Sequence, residues 1–210
     1  LMAPLLLLPS DNSSELQAAE IPSTPSPDGV PIESSGTPIF SWESVPDGVT
    51  YQLQVDNNED FGSPEFDDTA DTTDRIPTTS LNSGMYYWHV RAIDTDDIAG
   101  DWSTTWKVII DVPPLAPTLL LPANTPDIIL PEEMPTFSWE SLTDGITYQI
   151  QVDNDADFSS PEFDDTAADA SRTPITPLEN GTYYWRVRAF NVYNTPGEWS
   201  TTWSVTISVP

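Results

Sequence analysis

The chain has 210 residues, enough for one large or two ordinary domains that each bury a core of their own. Its net charge of −28, from 34 acidic and 6 basic side chains, excludes nucleic acid and anionic membrane surfaces as partners, because both require clustered Lys or Arg. It contains no cysteine, which excludes disulfides and thiolate metal sites, and no apolar run long enough to insert into a membrane.

The acidic balance extends over both halves of the chain. Lysine occurs only at Lys107, whereas Asp and Thr are abundant. Such a composition favours solubility and is typical of extracellular or high-salt settings. We therefore predict an extracellular or cell-surface location.

An apolar motif occurs once in each half of the chain. Leu1–Pro9, LMAPLLLLP, matches Pro114–Pro122, PLAPTLLLP, which lies in mid-chain. The first copy also lacks a basic n-region, so we predict the first strand of a module in each half rather than a signal peptide. The apolar residues of the first copy are also candidates for completing a neighbouring molecule's sheet: Leu5, Leu6, Leu7 and Leu8.

The segment that follows, at about residues 10–37, is rich in Ser, Pro and acidic residues. Aligned with the second half it is an insertion, and its composition predicts an exposed loop between the first two strands. The alternative is a loop that packs on a neighbouring subunit or carries glycans. Asn12 in this segment and Asn180 before the last hairpin begin N-glycosylation sequons.

From Pro38 onward the chain is an internal repeat, since Pro38–Pro113 aligns without a gap with Pro135–Pro210. Period-two alternation predicts a series of short strands before each final hairpin: Pro38–Ser44, Thr50–Asp56, Glu65–Thr69, Arg75–Thr79, Pro135–Ser141 and Thr147–Asp153. The hairpins themselves span Gly84–Ile110 and Gly181–Ile207.

The inward positions of these strands predict a core rich in aromatic residues, at Trp42, Tyr86, Trp88, Trp139, Tyr183 and Trp185. In the last strand, parity also places Trp199 and Trp203 inward and Ser200 outward. The fold class is therefore all-β, with two tandem antiparallel sandwiches at residues 1–113 and 114–210. The proline-rich linker around Pro113 and Pro114 should act as a stiff spacer and is a candidate assembly element.

The final hairpin carries a family resemblance. The residues Leu178-x-x-Gly181-Thr-Tyr183-Tyr-Trp185-Arg-Val187-Arg-Ala189, followed by Gly197-Glu-Trp199-Ser200, resemble the last two strands of a fibronectin type III domain. Phe137-x-Trp139 and Tyr148-x-Ile150-x-Val152 also match that family. The resemblance implies a tyrosine corner at Tyr86 and Tyr183. In style the repeats are similar to those of bacterial surface proteins, which include adhesins, secreted glycoside hydrolases and cell-envelope fibres.

A second, smaller resemblance concerns Trp199-Ser-Thr-Thr-Trp203-Ser, which is similar to the Trp-Ser-x-Trp-Ser signature of cytokine receptors. That signature implies arginines of the neighbouring strand stacked on tryptophans. Here the spacing is one residue longer, and the inward parity of both tryptophans argues against such a ladder. A cation–π contact of Arg186 or Arg188 with a Trp edge or with Tyr184 would be worth about 1 kcal/mol, and we expect its role to be structural.

Alternating carboxylates suggest one calcium site in each repeat. Asp153-x-Asp155-x-Asp157 and Asp56-x-Asn58-x-Asp60 have the spacing of a calcium loop but lack the Gly and Glu that complete an EF-hand. In the competing interpretation the acids cap a turn, and Phe61 and Phe158 plug the end of each sandwich. A second acidic group lies in the last hairpin loop of the first repeat: Asp94, Asp96, Asp97 and Asp101. We predict no cofactor, with calcium as the open alternative.

An enzyme is not predicted, because the sole histidine, His89, faces outward and aligns with Arg186. We predict a non-enzymatic extracellular structural module, either the subunit of a head-to-tail filament or a segment of a long surface stalk. Its partners would be copies of itself or neighbouring repeats. The alternative is a carbohydrate- or cell-binding adhesin or the accessory module of a secreted enzyme, with a glycan platform at Tyr184, Phe190 and Tyr193.

Overall fold

The computed structural model describes residues 21–27, 31–32, 36–46, 50–124, 129–131, 133–143 and 147–210. Within these ranges the structure has fifteen strands. The seven in repeat 1 are β1 (Pro31–Ile32), β2 (Phe40–Ser41), β3 (Thr50–Asp56), β4 (Phe66–Ala70), β5 (Asp74–Arg75), β6 (Gly84–Ile93) and β7 (Trp106–Ile110). Repeat 2 contains eight: β8 (Leu119–Leu121), β9 (Ile129–Leu130), β10 (Phe137–Trp139), β11 (Thr147–Asp153), β12 (Phe163–Ala167), β13 (Ser171–Arg172), β14 (Gly181–Phe190) and β15 (Trp203–Ile207). None of the described residues forms a helix that could cross a membrane.

Each repeat is a sandwich of two sheets. In repeat 1 a five-stranded sheet of order β1-β7-β6-β3-β4 faces the pair β2-β5. In repeat 2 the sheet β12-β11-β14-β15-β9 faces the sheet β13-β10-β8. All pairings are antiparallel except β1 with β7 and β9 with β15. The all-β fold with two sandwiches is therefore confirmed.

Period-two alternation builds one aromatic core in each repeat. In β3 and β11 the same pattern, T-Y-Q-x-Q-V-D, buries its apolar positions and leaves both glutamines on the outer face. The tryptophans of β6 and β14 lie at the centre of the cores, and Trp88 and Trp185 are both 0% exposed. The other aromatic residues expected in the cores are also buried: Trp42, Tyr86, Trp139 and Tyr183. A domain boundary between Pro113 and Pro114 remains a prediction.

The long central strands form where the sequence predicts them, and the short ones are shorter. β3 and β11 have the predicted bounds, Thr50–Asp56 and Thr147–Asp153. By contrast, only Phe40–Ser41 of Pro38–Ser44 and only Arg75 of Arg75–Thr79 lie in strands. The sheet that contains β2 and β5 has few partners, so fewer residues of each strand are paired.

The prediction of one exposed loop at residues 10–37 is wrong. The first-strand position is held by Ser23–Ser26, whereas Leu1–Pro9 lies outside the described residues. Ser26 exchanges backbone hydrogen bonds with Ser41, and Glu43 N–H donates to Ser23 O at 3.0 Å. Residues 10–37 therefore include both β1 and the segment Ser23–Ser26 that pairs beside β2, instead of forming one exposed loop.

The predicted parity of the last strand also fails before Trp203. Trp203 packs on the core, but Ser200 is buried and Trp199 lies on the outer face. The Ser200 hydroxyl accepts a hydrogen bond from Val187 N–H at 3.0 Å, while Ser200 N–H donates to Val187 O at 2.8 Å. A side-chain oxygen thus replaces a carbonyl in the ladder, and this irregularity shifts the alternation by one residue.

Candidate functional site: the outer-face stacks and the joint between the repeats

In repeat 2, aromatic rings and guanidinium groups alternate on the outer face of β14. The Arg186 guanidinium carbon lies 4.0 Å from the centroid of the Phe158 ring and 4.3 Å from that of Trp199. Arg188 lies 4.5 Å from Trp199 and 5.1 Å from Phe190. We call this series of five side chains the repeat 2 stack. It is an extended cation–π array in which each arginine contacts two rings.

Repeat 1 has the corresponding stack with an imidazole in it. The His89 ring is parallel to Phe61 at 3.7 Å and to Trp102 at 3.9 Å between centroids. Arg91 lies 4.4 Å from Trp102 on the far side. We call these four side chains the repeat 1 stack.

Glutamines of the neighbouring strand hold the cations of both stacks. Arg186 donates from Nε and Nη2 to Gln151 Oε1, at 3.0 and 2.7 Å, and Arg188 Nε donates to Gln149 Oε1 at 2.9 Å. Both glutamine amides then donate to Asp164, at 2.7 and 2.8 Å. One carboxylate thereby orients two guanidinium groups through two amides.

Repeat 1 has the same relay, by which we mean the hydrogen bonds that run from a stack residue through a glutamine to a carboxylate. Its carboxylate is Asp67, which accepts from Gln52 and Gln54 at 2.7 and 2.8 Å. Gln52 Oε1 accepts from Arg91, and Gln54 Oε1 lies 2.9 Å from His89 Nε2. This contact places the imidazole proton on Nε2, since the glutamine oxygen can only accept.

The stacks shift the pKa values of their central residues. Burial between two rings, assisted by the positive charge of Arg91, lowers the pKa of His89 to about 4, so the imidazole is neutral at physiological pH. Burial and the neighbouring charge of Arg188 lower the pKa of Arg186 as well. Arg186 stays protonated, because even a lowered arginine pKa lies far above neutrality.

These stacks correct two expectations. The ladder does form, because the Ser200 irregularity turns Trp199 outward onto Arg186 and Arg188. Phe61 and Phe158 do not plug the sandwich ends, since their loops fold back over the outer face and place the rings on His89 and Arg186. Both phenylalanines have positive φ, 51° and 56°, which is the backbone condition for this return.

The second arrangement is the joint between the repeats, and Asn191 is its centre. Asn191 Nδ2 donates to Asp111 Oδ1 at 2.7 Å, to Ser83 Oγ at 3.0 Å and to Val112 O at 3.1 Å. Its Oδ1 accepts from the backbone of its own loop, at Tyr193 and Thr195. One side chain, 4% exposed, therefore ties the last hairpin loop of repeat 2 to the end of repeat 1.

The joint has two further contacts. Thr195 Oγ1 donates to the other Asp111 oxygen at 2.9 Å, so both oxygens of this carboxylate bind repeat 2. At Gly197, an added Cβ would lie 2.2 Å from Pro114 O, closer than any side chain tolerates. The proline linker is thus packed against repeat 2 and held on both sides.

A groove of about 340 Å³ lies beside the joint, with Met85 from repeat 1 facing Val192 and Tyr193 from repeat 2. Tyr193 is 39% exposed. Partial burial and the negative charge of Asp111 raise its pKa. The other two residues of the expected platform, Tyr184 and Phe190, are half-buried, and Phe190 is covered by Arg188.

The candidate calcium carboxylates accept backbone hydrogen bonds of their own loops. Asp56 caps Asn58 N–H and Ser63 N–H, and Asp153 caps the equivalent groups of Asp155 and Ser160. Two further acids cap N–H groups within the turn, Asp60 that of Gly62 and Asp157 that of Ser159. Within the described ranges, no group of three metal-ligating side chains is placed to hold an ion.

The other expected sites have these positions. Tyr86 Oη donates to Asn82 O at 3.2 Å, which is the tyrosine-corner geometry, and the equivalent Tyr183 is buried in the core of repeat 2. Asn180 exchanges two hydrogen bonds with the Val209 backbone. Asn12 and Leu5 to Leu8 lie outside the described residues.

Asn191 is the functional residue that the sequence patterns do not single out. It occurs in a stretch where the two repeats diverge, and its counterpart is Asp94. The signal for it is the paired difference with Asp111, whose counterpart is Ser208. Only the structure brings Asn191 and Asp111 together, because they lie far apart in sequence and meet across the joint.

Comparison with solved structures concerns the fold of the chain. Two fibronectin type III domains of chicken tenascin superpose with a TM-score of 0.51 at 15% identity, covering 90% of this chain and 97% of that one. The fold is that of tandem fibronectin type III-like repeats. Domains FN1–FN3 of chicken CNTN1 give a TM-score of 0.39 at 18% identity, over 90% of this chain and 68% of that one.

The fibronectin(III)-like modules of Clostridium thermocellum CbhA give a TM-score of 0.33 at 18% identity, over 89% of this chain and 93% of that one. No protein-family model matches the chain, and no curated protein matches it in sequence. At these identities the likeness concerns the fold.

Proposed function

We propose that the protein is a non-enzymatic, extracellular spacer whose two fibronectin type III-like repeats are held in a fixed orientation. It serves either as a segment of a long surface stalk or as the subunit of a head-to-tail filament. The observation that carries the proposal is the joint, in which Asn191 and Thr195 bind both oxygens of Asp111. Hydrogen bonds to a charged group contribute about 1.5–3 kcal/mol each, enough to favour one orientation over free rotation.

The packed linker supports the same function. Pro114 is buried against Gly197, and proline restricts the backbone on either side of it. A flexible tether would instead be rich in Gly and Ser and would leave its backbone solvated. A stalk or filament requires such a linker, because the linker keeps successive repeats in one orientation.

The equivalent residues at the opposite ends of the two repeats support repetition of this joint. The position of Asn191 is held in repeat 1 by Asp94, which likewise accepts backbone bonds from its own loop. The position of Asp111 is held in repeat 2 by Ser208, which is exposed. In the first pair Asn191 donates and Asp111 accepts, whereas in the second pair Ser208 can donate and Asp94 accepts. The second pair is therefore also complementary, with the donor and the acceptor exchanged.

The experiment exploits this reversal within the folded chain. Asn191→Asp places two carboxylates against each other, so small-angle scattering should show a broader distribution of inter-repeat orientations than in the wild type. Adding Asp111→Ser recreates the Asp94 and Ser208 pair and should restore the wild-type scattering. A wild type that already samples many orientations, or a double variant as disordered as Asn191→Asp, would contradict the proposal.

Filament formation is tested by sedimentation at increasing protein concentration. Head-to-tail docking predicts association that increases with ionic strength, because each copy has a net charge of −28 and salt screens the repulsion between copies. Ser208→Ala should weaken it, whereas Asp101→Ala, a change of charge in the same region of repeat 1, should not. A monomer at all concentrations would leave the stalk as the function.

A second candidate function has one observation in its favour, the exposed Tyr193 beside the groove at the joint. An aromatic ring next to polar side chains is the usual platform for a sugar. Glycan-array binding that is lost in Tyr193→Ala and retained in Tyr87→Ala would establish a carbohydrate-binding module. Absence of binding on the array would exclude it.

A further inference from the structure

The last hairpin loops of the two repeats share one backbone arrangement. We call residues 94–98 of repeat 1 and residues 191–195 of repeat 2 the head loops. Asp94 Oδ1 accepts from two N–H groups of its own loop at 2.8 and 2.9 Å, and Asn191 Oδ1 accepts from the equivalent groups at 2.9 and 3.0 Å. The second polar atom of each side chain therefore has the same place in both loops. It is the donor Nδ2 in repeat 2 and the acceptor Oδ2 in repeat 1.

The surfaces on which a head loop docks also correspond. In the joint, the head loop of repeat 2 binds three residues, which we call the tail of repeat 1: Ser83, Asp111 and Val112. Their counterparts, exposed or half-buried, are the tail of repeat 2: Asn180, Ser208 and Val209. Ser83 and Asn180 each bridge the N–H and the carbonyl of the last tail residue, at 2.7 to 3.0 Å. The two tails thus have the same backbone support.

The two tails offer opposite hydrogen-bonding groups. In repeat 1 the Ser83 hydroxyl donates its only proton to the backbone, so toward a head loop it accepts, as the Asp111 carboxylate does. In repeat 2 the Asn180 amide keeps a second N–H after its bond to the backbone, and the exposed Ser208 has a hydroxyl proton. The tail of repeat 1 therefore suits a donor, and the tail of repeat 2 suits an acceptor.

A second contact changes together with the first. In the joint, Thr195 Oγ1 donates to the other oxygen of Asp111 at 2.9 Å. The counterpart of Thr195 is Ile98, which has no hydroxyl, and the counterpart of Asp111 is Ser208, which has no second oxygen. Ile98 is 44% exposed. The donor and its acceptor are thus replaced as a pair.

The groove beside the joint changes in the same sense. There Met85 of repeat 1 faces Tyr193 of repeat 2, so that an apolar side chain meets an aromatic one. Their counterparts are Thr182 and Asp96, which are both polar and both exposed. A head loop of repeat 1 on a tail of repeat 2 would therefore again bring similar side chains together.

We propose that the tail of repeat 2 is a docking site for the head loop of repeat 1 of a second copy of this chain, in the arrangement of the joint. The Asp94 carboxylate then accepts from Asn180 and Ser208. The inference rests on the proposed function and adds a rule of order to it. A repeat 1 head on a repeat 1 tail would place Asp94 against Asp111, and a repeat 2 head on a repeat 2 tail would place the Asn191 amide protons against those of Asn180. The two kinds of repeat consequently alternate.

The experiment places a carboxylate in the tail of repeat 2. Sedimentation velocity of the full chain, at an ionic strength that screens its net charge, should show association of the wild type that increases with concentration. Ser208→Asp sets a carboxylate against Asp94 and should lower the association constant at least about tenfold. Thr202→Asp adds the same charge before the opposite end of β15, where it should leave the association constant nearly unchanged.

A second substitution should reverse the loss. Adding Asp94→Asn to Ser208→Asp recreates, between two copies, the pair that Asn191 and Asp111 form within one chain, so wild-type association should return. Both new side chains fit their backbone, because each already stands at the equivalent position of the other repeat. Unchanged amide resonances of β6 and β14 would verify that every variant is folded.

Three results would overturn the docking site. They are a wild type that is monomeric at all concentrations, a Ser208→Asp variant that associates like the wild type, and a double variant that associates as weakly as Ser208→Asp. None of them bears on the orientation of the two repeats within one chain, which the scattering of Asn191→Asp tests. The docking site and the spacer function can therefore fail separately.

Discussion

The two repeats have nearly the same core residues and equivalent bounds in their central strands, but they differ where they face outward. The outer stack contains His89 in repeat 1 and Arg186 in repeat 2. The last hairpin loop begins with Asp94 in repeat 1, where Asn191 in repeat 2 makes the joint. The core is therefore shared by both repeats, whereas the outward-facing residues that differ adapt each repeat to its position in the chain.

The difference in the stacks changes how each repeat responds to its surroundings. A guanidinium between two rings is held by its charge, which the ring faces attract and which does not titrate. A neutral imidazole in the same place is held by stacking, and protonation would introduce a buried charge next to Arg91. Repeat 1 should consequently be sensitive to acid in a range where repeat 2 is not.

Removing the central ring of a stack should have the largest effect. Trp199→Ala deprives both Arg186 and Arg188 of a shared ring and should lower the free energy of unfolding of repeat 2 by about 3 kcal/mol. Trp102→Ala is the matched change in repeat 1, where one cation and the neutral His89 lose their partner, and should cost less. Urea unfolding followed by repeat-specific amide resonances measures both. Equal costs would show that charge adds nothing to the stack.

Acid should affect repeat 1 next most strongly. The folded pKa of His89 is about 4, below the usual 6.5, so the unfolded chain binds the proton first and stability rises with pH. Between pH 8 and pH 5 repeat 1 should lose about 2 kcal/mol, and the loss should continue until the pH passes the folded pKa.

The matched variant is His89→Arg, which copies repeat 2 and should remove the pH dependence between pH 8 and pH 5. Repeat 2 in the same molecule serves as a second control, because its stack contains no group that titrates in this range. Urea unfolding at each pH measures the stability of both repeats. A parallel loss in both would contradict the assignment of the pH dependence to His89.

Substitution of the relay carboxylates, Asp164 and Asp67, should have the smallest effect on the free energy of unfolding. Asp164→Asn leaves two guanidinium groups without their oriented counter-charge, whereas Asp67→Asn affects one. We expect about 1 kcal/mol for the first and less for the second, since the hydrogen bonds are solvent-exposed. Thermal unfolding at low and high salt checks this, and the difference between the variants should shrink as salt screens the charges.

The sequence predicts the sandwich well because period-two alternation is strong in β3, β6, β11 and β14. It fails at Trp199 because Ser200 uses its side-chain hydroxyl in place of a backbone group, and no periodicity records that substitution. It fails at the first strand because Leu1–Pro9 matches β8 better than the segment that the structure uses.

The joint was beyond sequence reasoning for a different reason. Asn191 and Asp111 act across two domains, and their pairing depends on the orientation that the linker allows. The residues that differ between the two repeats are nevertheless the place to look, since the shared ones form the cores and much of the outer-face stacks. A shared pattern, by contrast, can have a purely structural role. Asp153 and Asp56 have calcium-like spacing in both repeats, but both carboxylates cap their own turns.

The central claim is that Asn191 and Asp111 hold the two repeats as one rigid body, and residual dipolar couplings test it most directly. Backbone amides of β3, β6, β11 and β14 should fit a single alignment tensor in the wild type and two distinct tensors in Asn191→Asp. Wild-type couplings that require a separate tensor for each repeat would contradict the account.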